Sequence, residues 1–180
     1  MESNLSTILD TNSEEIAVYE KLLQALDDIH PELYYEFLLD GEDNMMLVLS
    51  AHGNSKLFAD VESIVKAAPV LTNLHVFALM PAIGFAEEIF WQGMEIALDS
   101  LFFTISQQEN KRRLTIYSTL FNVPLEAEEQ DDLEYTILRA IEEGVGERVF
   151  AQSIDETIFL AQQETKNEPL LPLSDLMNSL

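Results

Sequence analysis

The sequence contains no cysteine and few basic residues. Nine Lys and Arg stand against 33 Asp and Glu, which gives a formal net charge of −24 in 180 residues. Without cysteine there is no disulfide framework, no thiolate metal ligand and no thiol nucleophile. With so few cations there is no basic surface for a nucleic acid or for an anionic membrane. We therefore expect neither nucleic acid nor membrane among the partners.

Long hydrophobic runs are also missing. The uninterrupted apolar stretches are far shorter than the roughly 20 residues of a membrane-spanning helix. The opening residues MESNLSTILD lack the basic region and the apolar run of a secretory signal, so we expect a cytoplasmic protein. Because 47% of the residues are nonetheless hydrophobic, the chain has the apolar content of a packed domain rather than of a disordered acid.

The acidic residues are concentrated toward the two ends. Residues 1–43 hold twelve acids and one base, and residues 126–180 hold fourteen acids and three bases. Residues 44–125 are close to neutral, with seven acids and five bases. The pattern predicts an ordinary middle region flanked by two strongly acidic ends, which are the places to look for a basic partner.

Apolar periodicity predicts helices and strands in the first half of the chain. Residues 13–29 have the spacing of an amphipathic helix, and 31–39 read as a short helix leading into a strand. Residues 45–50 and 74–80 are predicted strands, and 55–68 between them is a predicted helix ended by a proline. Strand, helix and strand in this order favour a right-handed crossover with parallel strands.

The second half has the patterns of further strands and one long helix. They are strands at 87–92, 101–106, 114–120 and 149–160, and a helix at 131–143. A polar turn at 107–113 is predicted to join two of the strands as an antiparallel hairpin. Asp131 and Asp132 are placed at the start of the helix, where the helix dipole favours acids.

These elements together predict an α+β fold. We expect a mixed, mostly antiparallel sheet with helices packed on a face, in a split βαβ (ferredoxin-like) plan with an added N-terminal helix. Residues 1–161 form a single acidic domain in this interpretation, and 162–180 form a polar linker and a leucine-rich C-terminal tail. The tail has two interpretations: its leucines dock on the domain, or they form a linear motif for a partner's groove.

The loop between the first strand–helix pair is the most site-like segment. His52, Gly53, Asn54 and Lys56 lie where exposed N–H groups and positive charge could hold a ligand. This interpretation predicts a concave pocket in which His52 meets other polar groups. The alternative is structural: Gly53 makes a turn and Asn54 caps the helix. The loop has neither of the glycine patterns of nucleotide-binding loops.

Other candidate chemistry is weak. His30, His52 and His75 show no i, i+4 pair, so we expect no metal site and no cofactor. Adjacent carboxylates are common and single out no catalytic pair, so we expect a protein that is not an enzyme. The apolar residues between 85 and 94 form either a contact surface or core. An exposed surface there would suit a homo-oligomer, and both monomer and dimer remain open.

Several short motifs carry a resemblance. A strand runs into A-H-G-N and a helix that closes in A-A-P, and Gly146-Glu147 comes later. With these features the chain resembles a group of uncharacterised acidic bacterial α+β proteins. The resemblance implies a bacterial source and the α+β plan, and it implies no activity.

The acidic charge and the missing catalytic motifs favour a non-enzymatic protein that binds a basic protein partner. The most concrete form is an immunity-type inhibitor of a bacterial toxin, for instance a nuclease with a cationic active site. The predicted partner-binding residues are six acids within nine positions: Glu126, Glu128, Glu129, Asp131, Asp132 and Glu134. The alternative is a small ligand-binding or enzymatic domain that uses the 50–56 loop.

Overall fold

The computed structural model describes residues 32–39, 45–70, 74–108, 110–162 and 169–180, together with Lys21, Gln24 and Asp28. The chain divides into residues 1–34 and residues 35–180. Of the helix predicted at 13–29, the three residues described are helical, and the rest lies outside the described residues. Apart from these and the few residues that precede Tyr35, everything below concerns the second unit.

The described residues form strands and helices in this order. The strands are β1 (Tyr34–Leu39), β2 (Met45–Ser50), β3 (Leu74–Ala78), β4 (Glu88–Trp91), β5 (Met94–Ala97), β6 (Phe102–Gln108), β7 (Lys111–Ser118), β8 (Glu156–Ala161) and β9 (Leu171–Pro172). The helices are α1 (Phe58–Ala67), α2 (Ala127–Val145) and α3 (Glu147–Ser153). Short 3-10 helices lie at Ser55–Leu57, Leu98–Ser100, Thr119–Asn122 and Leu173–Ser179.

The described strands make three sheets. The first has the order β1-β2-β3, with β2 and β3 parallel on either side of α1 in the chain, which confirms the predicted strand–helix–strand unit with parallel strands. The second is the antiparallel hairpin of β4 and β5. The third has the order β8-β7-β6-β9, with β7 and β8 parallel and the other pairs antiparallel. The α+β class is confirmed, whereas the ferredoxin-like plan is not, since that plan uses one sheet.

A hydrophobic core of the described residues lies between the third sheet and α2. Leu133, Ile137 and Ile141 recur at a spacing of four and are fully buried, as expected for the inner face of a helix. The same cluster contains residues of the sheet, the β4–β5 hairpin and the C-terminal segment: Ile89, Trp91, Ile96, Leu101, Phe103, Leu114, Ile116, Leu173 and Leu176. The described part of the C-terminal tail is therefore part of the domain core.

The apolar residues from 85 to 94 divide between core and surface. Trp91 is buried, while Phe90 is 65% exposed and Met94 is 47% exposed. The ring of Phe85 covers Gly144, where an added Cβ would lie 2.3 Å from a ring carbon. Alternation along β4 explains this division, because successive side chains of a strand point to opposite faces.

The predicted antiparallel hairpin is confirmed, but its turn is shorter than the polar segment 107–113. The strand β6 continues to Gln108 and β7 begins at Lys111, so that Gln107 pairs with Arg112 and the chain reverses direction between Gln108 and Lys111. Most of the polar residues therefore lie on the exposed ends of the two strands. The three consecutive basic residues Lys111, Arg112 and Arg113 lie on β7, where Arg113 forms an ion pair with Glu156 at 2.7 Å.

The last helix and strand also differ from the prediction. The helix α2 begins at Ala127, where Glu126 and Glu129 form a capping box, so Asp131 and Asp132 lie in its second turn. The strand predicted at 149–160 is wrong in its first half, because α3 occupies Glu147–Ser153 and β8 begins at Glu156. Gly146, with φ of 87°, ends α2 and allows α3 to follow at once.

Candidate functional site

A buried carboxylate holds the loop that follows β2. Glu147, at the start of α3, has no exposed surface. Its Oε1 accepts hydrogen bonds from the N–H groups of Ala51 at 2.9 Å and Gly53 at 3.0 Å, and its Oε2 accepts one from Met80 at 3.0 Å. Both oxygens act only as acceptors, which suits an ionised carboxylate. Two N–H groups of the loop that we expected to be available to a ligand therefore donate their hydrogen bonds to the chain's own carboxylate.

The loop itself adopts a conformation that favours glycine. His52 and Gly53 have φ of 46° and 71°, in the left-handed region. The side chain of Asn54 accepts a hydrogen bond from the Lys56 N–H at 3.3 Å, which caps the turn that begins at Ser55. The structural roles considered for Gly53 and Asn54 are thus both present.

A cavity of about 490 Å³ lies beside this loop. His52 and Gly53 line it from the loop, whereas Asn54 and Lys56 are exposed and are not among its lining residues. The other walls come from α2, from α3, from the residues that lead into β8 and from the start of β8, including Tyr135, Arg139, Glu142, Phe150, Asp155, Glu156 and Thr157. The rings of His52 and Tyr135 stack with their centroids 5.5 Å apart. A concave site containing His52 is therefore present.

Burial sets the protonation of the groups around the cavity. It raises the pKa of Glu142 to about 7, an effect that the charge of Glu147 reinforces and that of Arg139 opposes. Burial lowers the pKa of His52, and the negative charge of Glu147 opposes this shift. Near neutral pH, Glu142 is consequently shared between its protonated and ionised forms, while His52 is held toward its neutral form.

Arg139 is surrounded by carboxylates. It forms ion pairs with Glu36, with Glu143 at 3.5 Å and with Glu142 at 3.8 Å. Its buried Nη1 has no hydrogen-bond partner among the described residues, because 3.8 Å is too long for a hydrogen bond. Burial also raises the pKa of Glu143, and Arg139 opposes that shift. One cation therefore balances only part of the negative charge on this side of α2.

We expect the stability of the protein to depend on pH through Glu142. Its pKa rises from 4.5 to about 7 on folding, so the folded state binds this proton more tightly than the unfolded state. The stabilisation is complete below pH 4.5 and is lost as pH rises through about 7, at a cost of about 3 kcal/mol. Urea unfolding of the wild type and of Glu142→Gln at pH 5 and pH 8 measures this difference.

The variant isolates Glu142 from the other titrating groups. His52 acts in the opposite direction, because a histidine held neutral loses stabilisation as pH falls below 6.5. Glu143 and the general acidic repulsion act in both proteins and cancel in the comparison. Equal pH dependence of the two proteins would contradict an elevated pKa at Glu142.

The six acids singled out in the sequence lie along the first turns of α2 and immediately before it. Glu126 and Glu129 form the capping box, Asp132 accepts a hydrogen bond from the Trp91 indole at 2.9 Å, and Glu134 accepts one from Gln130 at 2.8 Å. Glu128 and Asp131 are exposed. Between described residues, no ion pair joins any of the six to Lys or Arg.

The exposed acids and the cavity share one side of α2. Glu128, Asp131, Tyr135, Arg139 and Glu142 recur at spacings of three and four, which places them along one stripe of the helix. The last three line the cavity. The stripe therefore leads from exposed carboxylates into the cavity.

The structure adds residues that the sequence did not single out. Tyr135, Arg139 and Glu142 looked like ordinary surface positions of a helix in an acidic chain. Glu147 appeared only within the Gly146-Glu147 pair of the resemblance. No local pattern marks them, because their neighbours come from segments far away in the chain.

Comparison with known proteins gives no further relationship. No protein-family model, no curated protein sequence and no solved structure matches this chain. Among the described residues, no group of three or more histidine or carboxylate side chains is arranged to hold a metal ion. In the same residues, no helix has both the length and the apolar character required to cross a membrane.

Proposed function

We propose that this chain is a non-enzymatic binding protein that captures a basic protein partner. In its most concrete form it is an immunity-type inhibitor that neutralises a bacterial toxin in the cytoplasm. The observation that carries the proposal is the row of acids at the start of α2, which no Lys or Arg of the described residues neutralises.

Electrostatics explains how such a surface acts. Charges of one sign on a surface raise the local concentration of a partner of opposite charge and increase the association rate. With a net charge of −24, the chain attracts a basic protein from distances up to the Debye length, about 8 Å at physiological salt. The attraction weakens as salt is added, which gives the interaction a measurable signature.

The cavity gives the same surface a place for a single basic side chain. Glu142, Asp155 and Glu156 line it together with Tyr135, and only Arg139 brings a guanidinium among its lining residues. A Lys or Arg side chain of the partner would meet carboxylates there and could stack on the aromatic ring. The exposed acids that attract the partner and the cavity that holds its basic side chain then lie on the same side of α2.

A paired charge-neutralisation experiment tests the proposal. Wild-type protein, Glu128→Gln/Asp131→Asn and the control Asp60→Asn/Asp99→Asn are used as baits in extract of the source organism at low salt. All four positions are exposed, and the two variants lose the same charge. We expect wild type and control to retain one basic protein, identified by mass spectrometry, and the α2 variant to retain at least tenfold less.

The result must be repeated with the purified partner across a range of salt concentrations. Affinity that falls with salt in the wild type, and less steeply in the α2 variant, agrees with the proposal. Retention of no basic protein by the wild-type bait, or equal retention by both variants, contradicts it.

A second candidate function is a ligand-binding or enzymatic domain that uses the 50–56 loop. The cavity beside His52 favours it. Spermidine as a cationic probe and inorganic phosphate as an anionic probe test it in amide NMR titrations. Saturable shifts at Gly53 and Tyr135 with one probe support a small-molecule site, and the absence of shifts with both contradicts it.

A further inference from the structure

The strand β8 lies at one edge of the third sheet that the described strands form. In the order β8-β7-β6-β9 it has β7 as its one neighbour among the described strands. Between described residues, no hydrogen bond is made to its outer backbone edge. Residues 156–160 are partly exposed along their whole length. An exposed strand of this kind presents N–H and C=O groups that can pair with another extended chain.

Cavities lie at both ends of this edge. The first contains Glu156 and Thr157, and a second cavity of about 450 Å³ contains Phe159, Leu160 and Ala161. Consecutive residues of a strand point to opposite faces, so a cavity lined by neighbours in sequence borders the edge of the strand rather than one face. The two cavities therefore lie beside the two ends of β8.

The helix α2 lines the same two cavities in the opposite order to β8. Gln130, near its start, lines the second cavity, whereas Tyr135 and Glu142, further along, line the first. The exposed Asp131 lies on α2 between the two. Each cavity is thus lined by residues of β8 and by residues of the acidic helix α2.

The two cavities differ in chemistry. The first carries the carboxylates of Glu142, of Asp155 and of Glu156, the last of which is paired with Arg113. Most residues that line the second are apolar, among them Phe121, Val123, Leu125, Phe159 and Leu160, although polar atoms make up the larger part of its exposed surface. A segment that fits both cavities has a basic residue at the first cavity and an apolar residue at the second. If these two residues are four positions apart in an extended chain, the distance between them is about 13 Å.

We propose that an extended, basic segment of the partner adds to the sheet as a strand on the outer edge of β8, to which no described strand is paired. A lysine or arginine of that segment enters the first cavity and an apolar side chain enters the second. The inference rests on the proposed function and specifies how the partner binds: main-chain hydrogen bonds supply affinity, and the two cavities supply register and specificity. Charge complementarity with the −24 chain selects a basic occupant.

Synthetic peptides test strand addition directly. The probe is a seven-residue peptide in which threonine alternates with two lysines at one end and two leucines at the other, prepared in both sequence directions. Each is also prepared with N-methyl groups at the odd backbone nitrogens or at the even ones. In a strand that pairs with β8, every second backbone N–H points toward β8 and the others point away. Methylation of the first set should therefore weaken binding at least tenfold, and methylation of the second set should not.

Calorimetry at low salt measures the affinities, and hydrogen exchange locates the binding. For the unmethylated peptide we expect protection of amides within residues 156–161. Equal affinity of both methylated forms, protection only outside β8, or no binding of any peptide at millimolar concentration would overturn strand addition. The bait experiment tests binding of a basic partner without these peptides. Failure of strand addition can therefore be distinguished from failure of the proposed function.

Discussion

Replacing Glu147 by alanine is expected to lower the free energy of unfolding by about 3–5 kcal/mol. The carboxylate is fully buried and accepts three backbone hydrogen bonds, from Ala51, Gly53 and Met80. Without it, N–H groups of two separate loops lose their partner inside the protein. The loss of each such partner costs about 1–3 kcal/mol, reduced where water enters the vacated space.

Two variants refine this prediction. Glu147→Gln keeps the size of the side chain but brings an amide donor against N–H groups, so we expect a smaller but clear loss of stability. Glu128→Ala removes an exposed carboxylate from α2 and should change stability by no more than about 0.5 kcal/mol. Urea midpoints measured at one pH give all three values. A loss below about 1 kcal/mol in Glu147→Ala would mean that the loop does not depend on the carboxylate.

The glutamine variant also separates electrostatics from packing. The charge of Glu147 raises the pKa of Glu142 and of His52. Its removal should lower both pKa values, even in protein that remains folded. NMR titration of the two side chains measures this, and unchanged values would show that the charge of Glu147 does not reach the cavity.

Replacing Leu173 by alanine is expected to lower the free energy of unfolding by about 2–5 kcal/mol. Its side chain is completely buried in the core with Leu176, and its N–H donates a hydrogen bond to the Leu101 carbonyl at 2.9 Å. Truncation therefore leaves a cavity between α2 and the third sheet. Met177→Ala is the matched control, because Met177 is 43% exposed in the same short helix.

The comparison also distinguishes the two interpretations of the tail. If the leucines acted as a linear motif for a partner, Leu173→Ala would leave the urea midpoint unchanged and alter binding alone. A large shift in Leu173→Ala beside a small one in Met177→Ala agrees with docking on the domain. Similar midpoints for wild type and Leu173→Ala would contradict it.

The first crossover unit was predictable because its signals are local. Apolar runs bounded by a turn and by proline mark β2, α1 and β3 in the sequence, and the structure places them close to the expected residues. In this unit the apolar positions of the sequence match the buried positions of the structure, so local preference and tertiary packing favour the same secondary structure. The α+β class follows from such elements alone.

Other parts were not predictable because distant contacts decide them. The apolar residues of segment 149–160 suit a strand, yet Glu147 anchors its start as a helix through bonds to residues 67 to 96 positions earlier. The polar residues of 107–113 indicate exposure, which a strand end and a turn share. The cavity was anticipated from His52, but its other walls come from α2, α3 and the start of β8.

The carboxylate that closes the β2 loop also has a consequence for synthesis of the chain. Ala51 and Glu147 are separated by 96 residues. At about 5–20 residues per second, a ribosome needs roughly 5–20 seconds to supply Glu147 after Ala51 has been made. During that interval the N–H groups of Ala51 and Gly53 lack their buried acceptor, so the loop after β2 can complete its hydrogen bonds only when Glu147 has emerged.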